Sequence, residues 1–273
     1  MGEWSLVIFT ILMQTAIGAY LWATLMKSRK QERDFNKNNI AILALTAVAM
    51  IVSLMHLGTP SGALRALLNV KSSWLSREIL FSGAFFGLVF ITVLGDKLKL
   101  NGSQKVLLGW VTSVAGLLSV FSMSKLYMSS IIPAWNSRTT MLDFFVTTIV
   151  LGGIMLLVTS LKELEGEVAK LSIVMAAAVL IHAAVFPSFV AGLGAGTAAA
   201  QTSAMKLAQA YGGMLILRWV LVLGGVGLVI LSQYKKQQES TYIYLALAAL
   251  VLGQIAGRYI FFAVGVARGV GVI

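Results

Sequence analysis

Residues 141–160 read MLDFFVTTIVLGGIMLLVTS, a run of twenty positions with a single charge, Asp143. A helix of that length rises about 30 Å, which matches the hydrocarbon core of a bilayer. In lipid a backbone must satisfy its own polar groups, and a helix does so. The stretch therefore reads as a membrane-spanning helix. Outward from it in both directions the pattern repeats, with apolar runs at about 5–26, 40–57, 76–94, 106–126, 171–191, 214–231 and 241–264. The loops between them are short. The chain is predicted to be an all-α integral membrane protein of eight transmembrane helices. Residues 1–273 form one helix-bundle domain, with no extramembrane domain, linker or convincing internal repeat.

Composition agrees. Charged residues make up 11% of the chain, against roughly 25% for a soluble domain, while 58% is apolar and the mean hydropathy is +0.88. These values exclude a cytosolic enzyme, a secreted scaffold and a disordered linker. With no cysteine in the chain, no disulfide, thiolate zinc site, protein-ligated iron–sulfur cluster or c-type haem attachment can be built. The net charge of +11 is that of basic loops and helix ends in a membrane protein, and no nucleic-acid partner is expected.

Basic residues also orient the chain. The loop after the first span carries five, Lys27, Arg29, Lys30, Arg33 and Lys37, and its side of the membrane totals twelve of the 21. The other side holds nine, of which Arg218 and Arg258 lie inside spans, and residues 1–6 carry none. Both termini are therefore predicted on the outer, periplasmic side. In the first span the basic residues follow the apolar run, and no small-residue cleavage site is evident, so it reads as an uncleaved span rather than a signal peptide.

The connection between the second and third spans, HLGTPSGALRALLNVKSSWLSREIL at 56–80, holds the densest polar cluster near any apolar run. Thr59 and Pro60 form a helix-start signature, the 63–70 stretch suits a short interfacial helix, and Ser72 and Ser73 are plausible caps for the third span. The loop gathers His56, Arg65, Trp74, Arg77 and Glu78 at one boundary. His56 has two readings: a half-buried histidine bonded to a carbonyl, or a proton acceptor near neutrality. Glu78 is either an acid favoured by its helix N-terminus or a functional group, since boundary ionisable residues are costly. Their common depth on consecutive helices favours function for both.

Elsewhere the residues read more plainly. His182, near mid-span, is expected to be structural. A bis-histidine haem would need matching depths, yet His56 and His182 lie about 24 and about 16 Å along their helices from the inner side. Asp143 reads as an early helix acid behind capping Thr139 and Thr140, and Tyr127 and Trp135 as interfacial belt aromatics. Arg218 and Arg258 either snorkel outward or bind an anionic or carbonyl group. Gly253 with Gly257, and Gly265 with Gly269, read as helix-packing pairs. GLGAGTAAA at 192–200 lacks the context and lysine of a phosphate loop and is expected to be a flexible outer loop.

The order and spacing of five short motifs carry a resemblance: HLGTP at 56–60, LSREI at 75–79, KLY at 125–127 with PAW at 133–135, LRWVL at 217–221 and GRYIFF at 257–262. Along essentially its whole length the chain resembles the membrane-anchor subunits of the bacterial anaerobic dimethyl sulfoxide reductase family. The resemblance implies an eight-helix anchor without haem or metal in the bacterial inner (cytoplasmic) membrane. It further implies that the anchor oxidises menaquinol to menaquinone and passes electrons to an iron–sulfur subunit. That subunit would serve a molybdopterin catalytic subunit, so the iron–sulfur clusters and molybdenum cofactor belong to partner chains. By motif, His56 matches the quinol-site histidine and Glu78 an acid near it. Tyr127, Trp135, Arg218 and Arg258 join the quinol-binding set through their shorter motifs. Arg65, Arg77 or Tyr127 is available to hydrogen-bond a quinone carbonyl. The tail after GRYIFF departs from the family pattern, so Arg268 is given no role.

Two other classes compete. A small transporter or proton channel would use His56 and Glu78 in its pathway, and a purely structural anchor would bind no quinol.

Overall fold

The structure, a computed structural model, describes residues 2–56, 67–95, 97–235 and 239–269. Its long helices are α1 (Gly2–Arg29), α2 (Asn36–His56), α3 (Trp74–Val93), α4 (Gly102–Met128), α5 (Arg138–Ser160) and α6 (Val168–Gly194). A short α7 (Ala198–Met205) and a π turn at Lys206–Ala210 lead into α8 (Gly212–Ser232) and α9 (Glu239–Ala263). Among the described residues there is no strand, and eight helices are long and apolar enough to cross a membrane. The expected all-α, eight-span architecture is what the chain adopts, each spanning helix beginning two to four residues before its apolar run.

Successive spans alternate in direction, so the start of α1 and the end of α9 share one end of the bundle, here the terminal end. The basic loop after α1 lies at the other, basic end. Local chemistry sets several boundaries. Ser73 caps α3 by accepting from the Ser76 backbone N–H at 3.3 Å. Asn101 and Gln104 close a reciprocal capping box on α4 at 2.9 and 3.0 Å. Ser137 caps α5 through the Thr139 N–H at 3.2 Å.

The bundle is organised around α1, which packs against α2, α4, α5 and α9. Because α1 is apolar on every face, the centre of the bundle is where it fits. Hydrophobicity does not drive helices together inside lipid, so close backbone approach and van der Waals contact must. Gly18 and Gly152 provide it: a Cβ on Gly18 would strike the Thr148 carbonyl, and one on Gly152 would strike the Gly18 backbone. The outward faces carry Ile173, Leu180, Ile181, Ile216, Val220 and Leu252, all exposed as a lipid-facing surface requires.

Three expectations change here. The 192–200 stretch is not a flexible loop: α6 continues to Gly194 and α7 begins at Ala198, with Leu193 and Ala200 buried. Small residues there allow a tight turn, in which a Cβ on Gly196 would press on Ala200. Tyr127 is not a belt aromatic but is buried in the core, and the partly buried Trp135 packs against it. The third change concerns Asp143 and belongs to the site. Of the 63–70 segment only the end is described, a 3-10 turn at Leu67–Asn69; Thr59, Pro60 and Arg65 lie outside the described residues.

Candidate functional site

Two groups of polar residues lie in the terminal half of the bundle. The first opens α3. Arg77 donates to the carbonyls of Val70 and Lys71 at 2.8 and 2.6 Å, and its guanidinium lies 4.2 Å from the Trp74 ring centroid. It thereby ties the loop to the helix. Lys125 of α4 approaches the same ring at 5.7 Å. One residue further, Glu78 turns inward and is buried, and its Oε2 has no hydrogen-bond partner among the described residues. One turn deeper, Ser82 shares a buried 2.7 Å hydrogen bond with Ser119 of α4. His56 is the last residue of α2, a helix that packs against α3; its side chain lies outside the described residues.

The second group surrounds Asp143. The expected helix-start acid is the hub of an ion-pair network, because Ser137 already caps α5 and Asp143 sits more than a turn inside. Arg218 of α8 donates to its Oδ1 at 2.6 Å, and Arg258 of α9 approaches Oδ2 at 3.4 Å. His182 Nε2 of α6 lies 3.7 Å from Oδ1, an ionic contact only when the imidazole is protonated. Arg258 also donates to Gln14 Oε1 of α1 at 2.9 Å and packs 3.8 Å over the Phe144 ring. Thr147 accepts from Arg258 at 3.4 Å and donates to Gln254 at 3.1 Å. Neither arginine snorkels; an aqueous end is unnecessary when a buried carboxylate and aromatic faces receive the guanidinium. Gly257 has a specific role here, since a Cβ would collide with the Arg218 side chain.

An aromatic box separates the two groups. The Tyr127 ring is 5.5 Å from Trp135, 5.7 Å from Phe144 and 5.4 Å from both Phe261 and Phe262. Trp135 donates its indole N–H to the Phe261 carbonyl at 2.6 Å, and Gly265 leaves room for its ring. The site residues read from the sequence thus divide. Arg77 and Glu78 stand together on α3, Tyr127 and Trp135 belong to the box, and Arg218 and Arg258 serve Asp143. The sequence reading missed the Asp143 hub, although a signal existed: one acid and two arginines inside apolar runs, all near the terminal end, need one another.

At the basic end Glu167 meets Arg29, Arg33 and Lys170 at 3.6, 3.5 and 3.2 Å. Burial alone would raise this carboxyl, but hydrogen bonding and charge, from Lys170 and then Arg33, outweigh it and hold the group below its ordinary value. Among the described residues no cluster of three or more His, Cys, Asp or Glu is placed to hold a metal ion.

Eight spans around a buried, charged interior define a polytopic membrane subunit whose polar groups are internal and concentrated toward one face. Residues 1–264 match the family model for the DMSO reductase anchor subunit (DmsC), and the chain belongs to that family. It is a multi-pass membrane protein and acts as a membrane anchor. Among curated relatives, the chain is 28% identical to the C subunit of the anaerobic dimethyl sulfoxide reductase of Escherichia coli, over 99% of this chain and 97% of the relative. It is 25% identical to the anaerobic dimethyl sulfoxide reductase subunit YnfH of the same organism, over the same shares. Over a shorter stretch, 56% of this chain and 57% of the relative, it is 38% identical to the corresponding C subunit of Haemophilus influenzae.

Proposed function

We propose that this anchor oxidises menaquinol at the terminal end of its bundle, outside the cytoplasm, and passes the electrons to an iron–sulfur partner subunit. That partner in turn feeds a molybdopterin catalytic subunit. The observation that carries the reading is Glu78: a buried carboxyl a turn inside α3, with one oxygen unpartnered, on a helix packed beside the one that ends in His56.

A quinol has two hydroxyl protons to lose and a ring that prefers apolar surroundings. A head group stopped at this boundary delivers one hydroxyl to the His56 imidazole, which accepts the proton. Glu78 receives a proton and passes it to water at the membrane edge, and the Ser82–Ser119 pair holds the helix register beneath it. Arg77, already committed to two backbone carbonyls, fixes the loop rather than the quinone; Arg65 and Tyr127 remain the carbonyl donors of the proposal. Tyr127 and Trp135 form the wall between this boundary and the Asp143 network. Arg218 and Arg258 act on the site through that wall, as positioning residues. The exposed Lys71 and Arg138 at the same end supply basic groups for partner docking.

The transporter reading loses ground to the family membership, and the inert-anchor reading would leave Glu78 buried without purpose. Solubilisation in mild detergent tests the assignment. The chain is expected to purify with an iron–sulfur protein, a molybdopterin protein and menaquinone; a chain that purifies alone, quinone-free, from membranes containing all three contradicts it.

A further inference from the structure

The Asp143 network is short of acceptors. Its buried polar atoms without a partner are Gln14 Nε2, Arg218 Nε, Arg258 Nε and Arg258 Nη1, and every one of them is a donor. Its charge is unbalanced in the same sense. Two guanidiniums share one carboxylate, leaving an excess of one positive charge with His182 neutral and two with it protonated. Both arginines are at least nine-tenths buried, at 6% and 1% exposure. An uncompensated buried cation costs several kcal/mol.

A cavity of about 50 Å³ opens on this network. Asp143, His182, Arg218, Gly257, Thr139 and Thr140 line it together with apolar residues such as Phe186 and Leu207. A water needs roughly 10–15 Å³ of such space, so the cavity holds a few waters or one small ion, and it is too small for a quinone ring. Arg258 does not line it, and has Gln14, Thr147 and the Phe144 face instead. Of the residues that line the cavity, Arg218 carries the unpartnered buried donor, its Nε, and His182 stands beside it with no hydrogen bond among the described residues closer than its 3.7 Å approach to Asp143. Asp143 lines it too, with Oδ1 2.6 Å from Arg218 and 3.7 Å from His182 and Oδ2 3.4 Å from Arg258, so one carboxylate is divided among three donors.

We propose that this cavity binds a monovalent anion of halide size, held by Arg218 and His182, which completes the charge balance of the α5–α6–α8–α9 junction. The guanidinium supplies directed N–H donors and the imidazole supplies one, or two when protonated. The aromatic side chains of Phe186, Phe189 and Phe261 line the cavity, and such a low-dielectric lining strengthens the attraction.

The test uses the intact complex in detergent, with chloride titrated against gluconate at constant ionic strength and unfolding followed by tryptophan fluorescence. The melting temperature is expected to rise saturably with chloride and with bromide, and bromine anomalous scattering should place the ion between Arg218 and His182. Arg218→Gln should abolish the rise. His182→Phe, which keeps a ring but removes the donor, should raise the half-saturating chloride concentration about tenfold, the weight of one charge-assisted hydrogen bond. Exposed Lys170→Gln should leave it unchanged. Identical melting in gluconate and chloride at every concentration would overturn the proposal, as would an unaltered chloride curve in His182→Phe. Neither readout involves quinol turnover, so the anion site stands or falls apart from the proposed quinol chemistry.

Discussion

Arg218 on α8 donates to Asp143 on α5 at 2.6 Å, across 75 residues of sequence and between two membrane-spanning helices. Asp143 is the only carboxylate within reach of two buried guanidiniums among the described residues. Asp143→Asn should therefore be strongly destabilising, by roughly 3–5 kcal/mol, because both cations lose their counter-charge. The double variant Asp143→Asn with Arg218→Gln should be less unstable than the sum of its parts. Thermal unfolding of the purified complex measures both, and strict additivity would show that the pair does not act as a unit.

The Gly18–Gly152 contact makes a second claim about the bundle. Gly152→Ala should separate α1 from α5 and cost roughly 1–3 kcal/mol, as overpacking does. Gly83, around which a Cβ meets nothing within 4 Å, provides the control. Gly83→Ala should leave the amount of folded anchor in membranes unchanged, whereas Gly152→Ala should lower it.

Much of this fold was legible because bilayer thickness dictates run length, and run length is visible in sequence. Ser73 could be placed as a cap because its chemistry is local, and Glu78 drew attention because an acid beside an apolar run is conspicuous. The Asp143 hub was not read because its partners sit 39, 75 and 115 residues away, and only helix packing shows which spans meet. For the same reason Tyr127 and Trp135 passed for interfacial aromatics. Near a span's end, a residue that faces lipid headgroups and one that faces a neighbouring helix look alike in sequence. The 192–200 stretch misled for a different reason, since glycine and alanine suit both a loose loop and a tight turn between helices.

Acid should act first at the basic end. The Glu167 carboxyl is held below its ordinary value of 4.5, so it binds protons more weakly folded than unfolded. Its contribution is complete above that ordinary value and is lost as pH falls through the lower folded value. The protection of amides in the loop joining α1 to α2, taken relative to their intrinsic exchange at each pH, should fall on acidification below about pH 4.5, and Glu167→Gln should show the lower protection already at neutral pH. The effect should be modest, as surface ion pairs are. Equal exchange in both proteins at neutral pH would show that Glu167 does not hold the loop.

Orientation has a direct assay, since the protein has no cysteine of its own. Single cysteines at exposed Gln31 and Ser129 should label oppositely with an impermeant thiol reagent in intact cells, Ser129 reacting and Gln31 protected. Labelling from one side would reject the eight-span alternation, and the reverse pattern would place the termini and the proposed quinol site in the cytoplasm.

Quinol oxidation at His56 and Glu78 is the central claim, and the ratio of two activities in the same membranes tests it most directly. One activity is driven by menaquinol; the other by an artificial donor that reduces the partner's clusters without the anchor's chemistry. An imidazole accepts a hydroxyl proton and a guanidinium does not, while arginine at a helix end can extend to the membrane surface and permit assembly. In His56→Arg the ratio should fall by roughly a hundredfold or more, the scale of a lost general base. In Glu78→Gln it should fall less, because water can substitute in proton exit. Artificial-donor turnover should match wild type in both variants. A ratio in His56→Arg equal to that of the wild type would contradict the account, making His56 structural and placing quinol oxidation elsewhere.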